Sequence, residues 1–175
     1  ALISKLPLAM IKTFVHGGKE NDIAVILFTS GSEKDPKAVQ LSHKNILANV
    51  ASCSECFEFN SDDVFLSTLP YFHVFGLTVN FWIPIYHGAR ILTYANPLEY
   101  RKICEIARDH QATLLVGTPA FYWGYLRRSE KGDFASLRVA LVGADKCPES
   151  LREAYKEKHE QTLFEGYGAT ECSPV

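Results

Sequence analysis

Thr113-Leu114-Leu115-Val116, continuing into Gly117-Thr118-Pro119-Ala120-Phe121-Tyr122, and Leu137-Arg138-Val139-Ala140-Leu141-Val142, continuing into Gly143-Ala144-Asp145-Lys146-Cys147-Pro148, decide the fold class. Each begins with a short apolar run suited to a strand buried on both faces. Each run passes through small residues to a proline that opens a helix-like stretch. Moving outward, the same grammar recurs. Val64–Leu69 reads as a strand ending at Pro70, and Phe72–Ile85 as a buried helix ending near Pro84. Ala89–Thr93 reads as a strand, followed by a helix from Pro97 to about His110. A helix from Pro148 to Lys158 and a strand at Thr162–Glu165 close the series. On the amino-terminal side, Asn21–Thr29 reads as a buried strand and Val39–Leu41 as a short one. Ser42 then caps a helix over Asn45–Phe57. Alternating strands and helices predict an α/β fold around a largely parallel sheet, in one domain covering residues 1–175. In such sheets ligands sit at the carboxyl ends of the strands. The loops Ser30–Lys37, Pro70–Gly76, Gly143–Lys146 and Gly166–Glu171 are therefore expected to converge.

The 175 residues carry a net charge of −2, which gives no basic footprint for a nucleic-acid partner. No apolar run approaches the ~20 residues that span a membrane. The start, Ala1-Leu2-Ile3-Ser4-Lys5, lacks the basic flank and cleavage site of a signal peptide. Cys53 and Cys56 form a C-x-x-C late in a helical stretch, without the second pair a zinc ribbon needs. Reduced packing cysteines in a cytoplasmic protein are the expectation.

Three stretches carry chemistry. Thr29-Ser30-Gly31-Ser32-Glu33-Lys34-Asp35-Pro36-Lys37 offers hydroxyls, a glycine and lysines, which are donors for phosphate oxygens. It lacks the Walker spacing, and as bare chemistry it also reads as a simple turn. Gly166-Tyr167-Gly168-Ala169-Thr170-Glu171 allows close backbone approach and adds a hydroxyl and a hard carboxylate suited to Mg²⁺ near phosphates. In Leu69-Pro70-Tyr71-Phe72-His73-Val74-Phe75-Gly76, His73 is either a satisfied core histidine or a gate beside an apolar channel. Phe81–Ile85 and Thr118–Tyr125 are apolar or aromatic, and read either as core or as channel lining.

Together, in this order, these motifs resemble the adenylate-forming superfamily of acyl-CoA synthetases, luciferases and peptide-synthetase adenylation domains. Thr29–Lys37 is similar to its phosphate loop, Leu69–Gly76 to its L-P-x-F-H-x-x-G stretch, Gly143-Ala144-Asp145-Lys146 to its G-A-E-K turn, and Gly166–Glu171 to its G-Y-G-x-T-E signature. Thr29–Glu33, Phe75–Val79, Asn96–Arg101 and Leu163–Tyr167 resemble the acyl-acyl carrier protein synthetase half of bifunctional enzymes that also reacylate 2-acylglycerophosphoethanolamine.

The resemblance implies a fragment of the large N-terminal domain, with the C-terminal catalytic subdomain outside this chain. It implies that ATP and Mg²⁺ activate a fatty acid to acyl-AMP, which passes to acyl carrier protein, or to CoA in the alternative of an acyl-CoA synthetase. It implies that Thr29, Ser30, Gly31, Ser32, Glu33, Lys34 and Lys37 hold phosphates. Gly143, Ala144, Gly166, Tyr167 and Gly168 would surround the nucleotide and acyl carbonyl. Thr170, Glu171 and His73 would be catalytic, with Glu171 the metal ligand. A cytoplasmic location follows, at the inner face of a membrane through regions outside this chain. Lys34 and Ala38 stand where the superfamily carries glycine. A Cβ at a positive-φ position costs roughly 1 kcal/mol or more, which keeps open a weakened loop, and with it an inactive acyl- or nucleotide-binding protein.

Overall fold

A computed structural model describes residues 7–13, 17–29 and 36–173. A short helix α1 (Leu8–Thr13) precedes strands β1 (Ile23–Thr29) and β2 (Lys37–Ser42). Then come helix α2 (His43–Phe57), strand β3 (Val64–Ser67) and a helical segment running from Val74 to His87. That segment comprises α3 (Val74–Leu77), a π turn (Thr78–Trp82) and α4 (Ile83–His87). Strand β4 (Arg90–Thr93), helix α5 (Tyr100–Asp109), strand β5 (Leu114–Gly117) and helix α6 (Pro119–Arg128) follow. Strand β6 (Val139–Val142), helix α7 (Glu149–His159) and strand β7 (Leu163–Glu165) complete the series. Strands β3 to β7 form one parallel sheet in the order β4-β3-β5-β6-β7.

Period-2 alternation sorts the strand residues onto two faces. Phe65, Leu114, Val116, Val139 and Leu141 meet α2 and the Val74–His87 segment. Leu66, Leu115, Ala140, Val142 and Leu163 meet α5, α6 and α7. Both faces are covered, so the inner strands β3, β5 and β6 are buried throughout. This is why they are written as unbroken apolar runs. The second face is tied by tyrosine hydroxyls: Tyr155 donates to the Tyr122 carbonyl (2.9 Å) and Tyr122 to the Leu115 carbonyl (2.7 Å). These bonds link α7 to α6 and α6 to the sheet.

Three expectations are corrected. β1 does not enter the parallel sheet. It pairs antiparallel with β2 in a separate two-stranded sheet, with Ile26 and Phe28 opposite Gln40 and Ala38 on an exposed face. Phe28 is 72% exposed, so an apolar run here does not mean a buried strand. Second, the helix expected to end near Pro84 starts at Val74 and continues to His87. The π turn inserts one residue ahead of Pro84, with the Ile83 N–H donating to the Thr78 carbonyl. The proline then falls in the first turn of α4, where its missing N–H costs little. Gly88, at φ 67°, ends the helix. Third, Pro97 does not open α5. The Asn96 side chain accepts from the Leu98 N–H (3.1 Å), making a local turn, and α5 begins at Tyr100.

Ser42 does cap α2. Its hydroxyl accepts from the Asn45 N–H (3.2 Å), while the Asn45 side chain accepts from the Ser42 N–H (3.0 Å), a reciprocal capping box. Cys53 and Cys56 both lie in this helix, and all five cysteines are free. Among the described residues no helix is long and apolar enough to cross a membrane.

Candidate functional site

The carboxyl ends of β6 and β7 open into turns, and a third loop reaches them from β3. A cleft of about 160 Å³ lies where they meet. His73, Val74 and Phe75 form one side, Ala144 another, and the stretch from Gly166 to Thr170 the third.

Each turn is held by the element behind it. Gly143 continues β6, its N–H donating to the Gly117 carbonyl (3.0 Å), and Gly166 continues β7, its N–H donating to the Val142 carbonyl (2.9 Å). Ala144 sits at φ 65°, a left-handed conformation costly for a residue with a Cβ. The Glu165 carboxylate accepts from the Cys147 N–H (3.1 Å) and from Arg152 Nη2 (2.5 Å). One side chain thus fastens the turn after β6 to the end of β7. Tyr167 projects into solvent at 87% exposure.

His73 is exposed and stands at the N-cap of α3, so it is not a core histidine. Its Nδ1 accepts from the Phe75 N–H (3.2 Å), which in the neutral ring leaves the proton on Nε2. Thr170 opens a 3₁₀ turn over Thr170–Cys172. Glu171 follows on that turn, exposed and outside the lining of the cleft. Its carboxylate makes no hydrogen bond or ion pair with any described residue. The turn is anchored from the other direction by Asn49 Nδ2 to the Cys172 carbonyl (3.4 Å) and Thr78 Oγ1 to the Ser173 carbonyl (2.9 Å).

The structure therefore brings together His73, Ala144, Gly166, Tyr167, Gly168 and Thr170, with Gly143 and Glu171 adjoining. Thr29 ends β1 and pairs with Lys37, which is exposed at the start of β2. Neither lines the cleft. Ser30, Gly31, Ser32, Glu33 and Lys34 lie outside the described residues. Sequence reasoning missed Val74 and Phe75 as cleft walls, and Asn49 and Thr78 as anchors. Asn49 carried a usable signal: it is a polar residue on the apolar face of α2, beside Ile46, Val50 and Cys53. Of the expected channel residues, Phe121 lines a second cleft, of about 430 Å³, and Phe81 packs on Tyr71 in that cleft's wall. Tyr122 and Tyr125 are wholly buried.

Residues 9–175 match the family model described as AMP-binding enzyme. A long-chain-fatty-acid–CoA ligase of Bacillus subtilis is 35% identical over 162 residues, covering 89% of this chain and 28% of the relative. A 3-[(3aS,4S,7aS)-7a-methyl-1,5-dioxo-octahydro-1H-inden-4-yl]propanoyl:CoA ligase of Rhodococcus jostii is 32% identical, covering 89% of this chain and 30% of the relative. Among solved structures, ATP-bound MatB from Rhodopseudomonas palustris superposes with a TM-score of 0.78 at 26% identity, over 90% of this chain and 31% of that one. The chain spans less than a third of the length of these relatives. The match over nearly the whole chain, together with the parallel sheet and its converging turns, shows that the chain belongs to the AMP-binding enzyme family.

Proposed function

We propose that this chain is the nucleotide- and acid-binding part of an ATP-dependent acid–thiol ligase whose remaining catalytic parts lie elsewhere in the polypeptide. The observation that carries the reading is one cleft walled by His73 and the 166–170 turn, with the carboxylate of Glu171, unpaired among the described residues, beside it.

In the first half-reaction a carboxylate oxygen attacks the α-phosphorus of ATP. The bond from that phosphorus to the bridging oxygen breaks, pyrophosphate leaves, and acyl-AMP forms. In the second, a thiol sulfur attacks the acyl carbonyl carbon and AMP leaves. Adenylation needs positioning and charge stabilisation more than a protein nucleophile. Thr170 would donate its hydroxyl to the α-phosphate. Tyr167, already standing in solvent, would lie against the adenine. The backbone of Gly143 and Ala144 would border the nucleotide and the acyl carbonyl, and His73 would lie beside the carboxylate, its Nε2 proton available as a donor. The phosphate loop, Thr29 to Lys37, would hold the β- and γ-phosphates. A lone exposed carboxylate fits Mg²⁺, which takes one or two carboxylates and completes its shell with phosphate oxygens and water. Bound through Glu171, the ion would neutralise developing phosphate charge.

A fatty acid as the acid is supported by the name of the Bacillus subtilis relative. The same name supports CoA as the thiol, whereas acyl carrier protein rests on the loop resemblance. ATP–pyrophosphate exchange by the full polypeptide tests the reading. Exchange is expected to depend on a fatty acid and to fall by about 100-fold or more in Glu171→Ala. A folded protein that binds nucleotide but exchanges with no acid would sink the enzyme reading in favour of an inactive binding protein.

A further inference from the structure

None of Thr170, Glu171 and Cys172 is buried, so apolar packing does not fix the turn that carries the proposed metal ligand. Ahead of it, Gly166 and Gly168 leave the backbone wide freedom. Within it, two backbone bonds close a single 3₁₀ turn: the Cys172 N–H donates to the Ala169 carbonyl (2.9 Å) and the Ser173 N–H to the Thr170 carbonyl (3.3 Å). One such turn has little stability of its own. Ser173, which ends it, sits at φ 76°, a region that strains any residue with a Cβ. A strained residue keeps its conformation only where the surrounding structure imposes it.

The constraint comes from behind. Ser173 and Thr78 are both buried, and Thr78 Oγ1 donates to the Ser173 carbonyl at 2.9 Å. A helical threonine commonly turns its hydroxyl back to the carbonyl four residues earlier. Thr78 sends its hydroxyl to a residue 95 positions along the chain instead, and it does so from the first residue of the π turn. Such turns inside helices are frequent at functional sites. The preceding carbonyl, on Cys172, accepts from Nδ2 of buried Asn49 (3.4 Å), and Cys53 Sγ lies 3.8 Å from Asn49 Oδ1. Two carbonyls in succession, directly after Glu171, are thus pinned by side chains from α2 and from the Val74–His87 segment.

We propose that Thr78, seconded by Asn49, is a positioning residue: its hydroxyl fixes the backbone after Glu171, so that this carboxylate is already aimed when the metal ion and the phosphates arrive. Thr78 touches neither. It acts through the Ser173 carbonyl and the turn that carbonyl closes. The metal end of this role rests on the adenylation reading, and the anchor on the hydrogen bonds alone.

The test uses the full polypeptide with Thr78→Val, which removes the hydroxyl, and Thr78→Ser, which keeps it. Three quantities are measured: amide hydrogen exchange of residues 166–173, the dissociation constant of Mn²⁺·ATP, and that of ATP in EDTA. In Thr78→Val, exchange is expected to speed up at residues 170–173. Mn²⁺·ATP should bind about tenfold more weakly, as when other bonds that orient a metal ligand are lost. ATP in EDTA should bind nearly as before, and Thr78→Ser should restore both the exchange and the metal affinity. Thr78→Val added to Glu171→Ala should cost no further Mn²⁺·ATP affinity, because two residues acting through one contact do not add. Unchanged exchange at 170–173, equal loss with and without metal, or an additive double variant each overturns the proposal. So does a lowered unfolding midpoint with metal affinity kept, which would leave Thr78 a structural residue only. If the parent binds no Mn²⁺·ATP, yet Thr78→Val speeds exchange at 170–173 and Thr78→Ser does not, the anchor stands and the adenylation reading alone falls.

Discussion

Glu160 ends helix α7 in the left-handed conformation, at φ 59°. Glycine is the usual residue there, because a Cβ in that region costs about 1 kcal/mol. The partner that glutamate retains is weak, an ion pair to Lys131 at 3.9 Å with both side chains exposed, and such pairs are worth little. Glu160→Gly is therefore expected to stabilise the protein by about 0.5–1 kcal/mol, read as a higher denaturation midpoint at constant slope. Ala144 shares the conformation at the cleft, where strain commonly accompanies function. Positive φ at a non-glycine residue leaves no mark in composition or periodicity. Gly166 and Gly168 stood out as candidates because glycines near an acid suggest backbone approach, whereas Gly143 stood out only through the resemblance of its turn to the family's. Phe75, which shuts the cleft, looked like any other apolar residue.

At the scale of elements, two contacts decide how helices and strands join. Tyr100 of α5 lies against α6 at Gly124, where an added Cβ would fall 2.4 Å from the ring. In an isolated helix Gly→Ala would be favourable by about 1 kcal/mol. Here Gly124→Ala is expected to destabilise by about 1–3 kcal/mol from overpacking, and a raised melting temperature would contradict this packing. At the amino ends of the sheet, Asp63, with its side chain 2% exposed, pairs with Arg138 at 2.5 Å. Arg138 also donates to the Phe57 carbonyl (2.8 Å), joining α2, β3 and β6. Burial raises the Asp63 carboxyl's pKa, but hydrogen bonds from Arg138, the Asn60 N–H and Thr113 outweigh it and hold the carboxyl below its ordinary value. This contribution is therefore present above the ordinary carboxylate range and is lost as pH falls through the lowered pKa. Arg138→Ala removes the ion-pair partner of a buried carboxylate, leaving only the Asn60 N–H and Thr113 bonds, and should cost about 3 kcal/mol, with a smaller deficit in acid, measured by denaturation across that range.

For the whole molecule the acid limit also depends on a histidine. His159 packs against Phe134 and Tyr155 and shares a hydrogen bond with Ser129 (2.8 Å). Burial, with the nearby charge of Lys158, lowers its pKa to about 4, against a weaker opposing effect of Asp133. The unfolded chain titrates near 6.5, so between these values it binds more protons than the folded one, and stability must rise with pH. The contribution is complete above about pH 6.5 and lost toward pH 4. His159→Gln is expected to flatten this part of the stability curve. An unchanged slope between pH 4 and 6.5 would remove His159 as its cause.

The sequence by itself determined the parallel sheet, because a strand covered on both faces must be apolar at consecutive positions, and β3, β5 and β6 are written that way. It also determined which loops carry phosphate-compatible chemistry, since glycine, hydroxyl and carboxylate types are readable without coordinates. Tertiary structure alone decided the rest. Apolar Ile23–Thr29 became an exposed-faced hairpin with β2, because run length does not say how many faces are covered. Pro84 stayed inside a helix because a π turn ahead of it absorbed the missing donor. Asn49 and Thr78 became anchors of the Thr170–Cys172 turn through contacts across 123 and 95 residues. Local sequence cannot carry such distances; they exist only once the sheet has brought its carboxyl ends together.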